Sequence, residues 1–81
     1  MTKDEIIEVI KVIIEDNLDD ISAGDIDPRK SMKDYGANSL DIIEVVSCSM
    51  RELSIKVPRA ELAELQNIEA LADKFLEYKN A

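Results

Sequence analysis

Ser39 follows Gly36-Ala37-Asn38 and precedes Leu40-Asp41-Ile42, so a hydroxyl stands where the apolar spacing behind it marks the start of a helix. Free N–H groups and the positive end of the helix dipole favour an anion such as a phosphate ester at that point. The small residues Gly36 and Ala37 leave room for a modifying enzyme to approach. The same pattern also fits a simple helix cap by Ser39 or Asn38, and from spacing alone the cap is the more ordinary reading. The other reactive side chains offer less. The chain has no histidine, which removes Ser–His and Cys–His nucleophile pairs and any histidine metal site. Its single cysteine, Cys48, falls mid-helix without a basic neighbour in sequence and reads as a small packed residue. Asp16, Asp19, Asp20, Asp25 and Asp27 lack the Asp-x-Asp-x-Asp-Gly spacing and distal glutamate of a calcium loop. They read as a solvated acidic surface with at most loose divalent binding. No set of residues here favours an independent enzyme or a metal site.

The elements that must position Ser39 are helical. Thr2-Lys3-Asp4-Glu5 has the form of a capping box. Ile6, Val9, Ile10, Ile13 and Ile14 then recur at helical spacing, which predicts a first helix over about 3–17. Its β-branched residues lower intrinsic propensity, so burial must hold it. Residues 18–37 form a long connection holding Gly24, Pro28 and Gly36. Such a connection is functional or carries short structure of its own. Leu18, Ile21, Ile26, Met32 and Tyr35 are expected to pin it to the core. A second helix is expected from Asn38 or Ser39 to about Leu53, with Ile42, Val45, Val46, Ser49 and Leu53 on its buried face. Leu40, Ile43 and Met50 are left over on another face, beside Asp41, Glu44 and Ser47. Ser54 to Val57 reads as extended, and Pro58 as the first residue of a short third helix over 58–64. Asn67 caps a fourth helix, 68–78, whose apolar face is Ile68, Leu71, Ala72, Phe75 and Leu76.

With 81 residues, the chain is expected to be a single domain, 1–81, of all-α class. One cysteine permits no internal disulfide, which suits a reducing compartment. No signal peptide and no membrane-length apolar run are present, so a cytoplasmic protein is expected. The net charge of −8 makes nucleic acid and anionic membrane poor partners. That charge is uneven. Nine acids face two bases up to residue 27, whereas residues 28–58 hold four acids and five bases. The stretch around Ser39 is therefore close to neutral.

Asp34-Tyr35-Gly36-Ala37-Asn38-Ser39-Leu40-Asp41-Ile42-Ile43-Glu44 resembles the attachment motif of acyl carrier proteins, D-x-G-x-D-S-L-D-x-x-E. Glu52-Leu53 with Ile55-Lys56-Val57-Pro58 resembles that family's approach to its third helix, and Asn67-Ile68 its closing helix start. The resemblance covers essentially the whole chain, and it reverses the preference for a plain cap at Ser39. It implies a four-helix acyl-carrier-like bundle with a long first loop and a short third helix. It also implies 4'-phosphopantetheine on Ser39, added from coenzyme A by a magnesium-dependent phosphopantetheinyl transferase. The arm would hold acyl groups as thioesters, and the carrier would not itself be a catalyst. The docking surface carried over by the resemblance comprises Asn38, Leu40, Asp41, Ile43, Glu44, Ser47, Met50 and Arg51.

Asn38 stands where fatty-acid carriers usually have aspartate, and Met50 and Arg51 where they usually have acids. With these departures the chain looks more like carriers of the polyketide type, and the donor carrier of a β-branching cassette is the specific expectation. A helix that begins almost at once after Met1 is expected of a freestanding carrier, and a monomer is expected. Acyltransferase, ketosynthase or HMG-synthase-like enzymes would then be its partners. The alternatives are a fatty-acid carrier, an aminoacyl carrier loading peptidyl or D-alanyl groups, and a helical interaction module without an arm.

Overall fold

The computed structural model describes residues 1–62 and 67–80. Four α-helices run through the described residues: α1 (Lys3–Asn17), α2 (Ser39–Leu53), α3 (Arg59–Leu62) and α4 (Ile68–Lys79). Two 3-10 turns, Ala23–Asp25 and Met32–Tyr35, lie in the connection between α1 and α2. No strand occurs among the described residues, and the all-α bundle expected from the apolar spacing is what forms.

Each long helix begins on a side chain that satisfies an otherwise free N–H. The Thr2 hydroxyl accepts from the Glu5 N–H at 3.2 Å, and the Glu5 carboxylate accepts from the Thr2 N–H at 2.9 Å. Asn67 Oδ1 accepts from the Ala70 N–H at 2.7 Å. Two further N–H groups at the start of α4 donate to loop carbonyls, Ile68 to Lys30 at 3.1 Å and Glu69 to Pro28 at 2.8 Å. These bonds satisfy the helix end and hold the long connection in place at once.

The core is apolar and mostly aliphatic. Ile6, Ile10 and Ile14 of α1 are fully buried, as are Val45 of α2 and Ile68, Ala72 and Phe75 of α4. α1 packs against both α2 and α4. From the connection, Ile26 and Met32 enter the core, and Leu18, Ile21 and Tyr35 pack against it half-buried. All five loop residues expected to act as anchors do so. The one buried polar side chain among the described residues, Ser49, returns its hydroxyl to the Val45 carbonyl at 2.8 Å. A serine can therefore sit on the buried face of α2 without an unsatisfied group.

Two expectations shift. Pro58 was expected to be the first residue of the third helix, but α3 begins at Arg59. Pro58 flanks it, and its carbonyl accepts the Glu61 N–H at 3.0 Å. The expected end of that helix, residue 64, lies outside the described residues. No helix among the described residues is long and apolar enough to cross a membrane.

Candidate functional site

The question of which residue caps α2 is settled by the side chains. Asn38 Oδ1 accepts from the Asp41 N–H at 2.9 Å, and Asp41 returns a carboxylate oxygen to the Asn38 N–H at 3.1 Å. This reciprocal box makes Asn38 the cap, so Ser39 is the first helical residue and is exposed. Its hydroxyl is not needed for capping. It stands at the positive end of a 15-residue helix, where a phosphate ester would be stabilised.

The approach to Ser39 is more rigid than a Gly-Ala pair suggests. Gly36 has φ +86° and ends the 3-10 turn of Met32–Tyr35, its N–H directed at the Lys33 and Met32 carbonyls. A Cβ at Gly36 would meet nothing within 4 Å, so the need for glycine is the left-handed backbone and not space. Ala37 is buried. It anchors the chain to the core one residue before the cap, and so does not provide the open approach expected of it. Ser31 and Asp34 form a second reciprocal box at the other end of the turn, with the Ser31 N–H donating to Asp34 at 3.0 Å. The Asp34 of the motif is thus occupied in shaping the turn that delivers Ser39.

The residues expected to meet partners divide into two groups. Leu40 and Ile43 are exposed, at 77% and 45%, large fractions for apolar side chains. Asn38, Glu44 and Arg51 are exposed beside them, and Asp41 is half-exposed. Ser47 and Met50 are less exposed, in a cleft that Ile43 also borders. Both are half-buried, and the Met50 sulfur accepts the Val57 N–H at 3.3 Å. Cys48 is half-buried, its Sγ 3.7 Å from Glu44 on the same helix. Among the described residues no cluster of acids or cysteine has metal-binding geometry, so Asp16, Asp19, Asp20, Asp25 and Asp27 are not gathered into a site.

Sequence periodicity did not reveal the cleft. It lies along α2 and reaches α3 and the start of α4, with a volume of about 530 Å³. Its apolar wall includes Met32, Ile42, Val46, Met50, Val57 and Leu71. Ile42 and Ile43 at its near end are three and four residues beyond Ser39, about one helical turn. Among the described residues its charged lining is Lys33, Lys56 and Arg59, with no acidic residue. In a chain with eighteen acids and ten bases, that one-sided lining is a local reversal. Its only trace in the sequence is the slight excess of bases over residues 28–58.

Residues 8–75 match the family model described as the phosphopantetheine attachment site. Over 73 residues the chain is 33% identical to a polyketide biosynthesis acyl-carrier-protein, AcpK, of Bacillus subtilis, covering 90% of this chain and 89% of that protein. It is 27% identical over 82 residues to an acyl carrier protein of Cyanidioschyzon merolae, covering 100% of this chain and 89% of that protein. No solved structure matches the chain significantly.

Proposed function

This chain belongs to the phosphopantetheine-attachment family of acyl carrier proteins, and we propose that Ser39 is the residue that carries its covalent 4'-phosphopantetheine. The single observation that supports this assignment is the division of labour at the start of α2. Asn38 and Asp41 complete the cap between them, and the Ser39 hydroxyl is left exposed at the positive helix end. Attachment forms a bond from the serine oxygen to the pantetheine-side phosphorus and breaks the pyrophosphate of coenzyme A, releasing adenosine 3',5'-bisphosphate. The hydroxyl proton must pass to a base on the transferase. This chain has no histidine, and the Asp41 carboxylate already accepts the Asn38 N–H. The product anion then faces the free N–H groups of the first turn.

The thiol of the arm holds acyl groups as thioesters, and the protein presents them without turning them over. Leu40 and Ile43, with Asp41, Glu44 and Arg51 around them, form the stripe that partner enzymes would touch. Two large exposed apolar side chains on one helix next to the attachment point favour that role over ordinary surface. Met50 and Ser47 face the cleft, where they are placed to touch cargo in preference to a partner. The cleft itself is apolar, about one turn from the arm, and large enough to shelter an acyl chain.

For the pathway we favour polyketide synthesis, in keeping with the Bacillus subtilis relative. Acyltransferase, ketosynthase or HMG-synthase-like enzymes would be the partners, in the cytoplasm. The test is incubation with coenzyme A and a broad-specificity transferase, followed by intact mass measurement. Wild type is expected to gain one phosphopantetheine and Ser39→Ala none, with unchanged circular dichroism in the variant. No gain by wild type, or an equal gain by Ser39→Ala, overturns the assignment.

A further inference from the structure

We infer that the cleft beside α2 selects acyl groups that end in a carboxylate, held by Lys33, Lys56 and Arg59 at its mouth. The inference rests on Ser39 carrying the arm, and it concerns which cargo the arm can fold back. Three observations lead to it.

The first is charge. Among the described residues, every charged residue lining the cleft is basic, in a protein whose net charge is −8. An apolar chain alone would be served by an apolar or mixed rim. Three exposed cations lining one cleft instead favour an anion there.

The second is the state of those cations. Among the described residues the ion pairs are made by Lys3, Lys11, Arg29 and Lys74. Lys33, Lys56 and Arg59 take part in none of these pairs. They come from three separate segments: the 3-10 turn before Ser39, the stretch after α2, and the start of α3. Chain folding, not local sequence, brings them to one opening.

The third is polarity along the cleft. The wall is Met32, Ile42, Val46, Met50, Val57 and Leu71. A cargo that fits both parts has an apolar chain and an anionic end. A dicarboxylic acyl group of about four to six carbons, joined to the arm through one carboxyl, has that form. The arm's own phosphate is a second candidate anion for these cations. The experiment must separate the two.

Apo protein is loaded at Ser39 with pentanoyl- or glutaryl-phosphopantetheine from the matching coenzyme A thioesters, and also with unacylated phosphopantetheine. The two acyl arms have the same carbon count and differ by the terminal carboxylate. Intact mass establishes loading, so failure at that step overturns the Ser39 assignment, and with it the inference that rests on it, before any protection is measured. Cleavage of each thioester by hydroxylamine is then timed, normalised to the free coenzyme A thioester. Side-chain methyl shifts of Ile42, Val46 and Met50 are recorded on the same samples.

The glutaryl arm is expected to be protected about fivefold more than the pentanoyl arm, the scale of a few screened ion pairs. That difference is expected to shrink at high salt. The triple variant Lys33→Gln, Lys56→Gln, Arg59→Gln is expected to bring glutaryl down to the pentanoyl level and leave pentanoyl unchanged. The charge-retaining variant Lys33→Arg, Lys56→Arg is expected to keep the protection. Equal protection of both arms in wild type overturns the inference. So does a triple variant that shifts the spectrum of the unacylated arm as much as the glutaryl one, because the cations would then serve the phosphate.

Discussion

The two sides of α2 are built from similar aliphatic residues and do opposite things. Toward α1 and α4 the space is filled: Ile6, Ile10, Ile14, Val45 and Phe75 are fully buried. Toward α3 the wall of Met32, Ile42, Val46, Met50 and Leu71 surrounds a cleft of about 530 Å³. The difference lies in what faces them. α1 and α4 are long helices that present continuous apolar faces, whereas the described part of α3 is a four-residue helix held by polar contacts. Glu61 accepts from Lys74 at 3.4 Å and from the Tyr78 hydroxyl. Stability is thus concentrated on one side and left slack on the other, beside Ser39, the proposed attachment residue.

Truncating one side chain on each side of α2 separates the filled side from the slack one. Ile10→Ala, on the filled side, is expected to cost about 2–5 kcal/mol, the usual loss for emptying a tightly packed core site. Met50→Ala faces space that is already open and leaves less new void. Its cost is expected at about 1–2 kcal/mol, below the usual range for core methionine. Urea denaturation of the two variants measures both. Equal losses would mean that the cleft is packed as tightly as the core in solution.

The cap gives a smaller effect with a functional reading. Asn38→Ala removes the acceptor for the Asp41 N–H and is expected to cost about 1 kcal/mol. Asn38→Ser keeps a cap and is expected to cost a few tenths at most. If Ser39 served as the cap, Asn38→Ala would be nearly silent in thermal unfolding. The other end of α2 offers the opposite sign. Ser54 ends the helix at φ +57°, with the Ile55 N–H reaching the Met50 carbonyl at 3.0 Å. Ser54→Gly relieves the left-handed backbone and is expected to stabilise the protein by about 0.5 kcal/mol, read as a small rise in midpoint.

How far the sequence reached follows from the same contrast. Capping boxes and apolar periodicity are local, so Thr2, Asn67 and the buried faces of α1, α2 and α4 could be read directly. Which of Asn38 and Ser39 was the cap could not, because both residues favour that position. Periodicity also marks a face as apolar without saying what fills the space opposite it. For that reason Met50 looked like a residue left outside the core, while it borders a cleft. Lys33, Lys56 and Arg59 come together only when the chain folds, and their separation in sequence hid them. Ala37 was judged by its size, which is small, and not by its neighbours, which bury it.

Acidification tests the tie between α3 and α4, and its effect there is the smallest expected. The hydrogen bond from Tyr78, and then Lys74, holds the Glu61 carboxyl below its ordinary value. A carboxylate whose folded value is depressed adds stability above its unfolded value, and that contribution fades as pH falls through the folded one. The Tyr78 hydroxyl is shifted the other way, raised chiefly by its bond to Glu61. Its contribution is present at neutral pH and fades as pH rises through its folded value, above the ordinary tyrosine range near 10. The tie between α3 and α4 is therefore firmest in the middle of the pH scale and weakens at both ends. Hydrogen exchange at Glu61 and Leu62, corrected for intrinsic rates, is expected to quicken as pH falls below the ordinary glutamate value of about 4.3, while Ile10 and Phe75 keep their protection. Glu61→Gln is expected to remove that acid dependence. Loss of protection at all four positions together would mean that the filled side and the α3 side unfold as one unit.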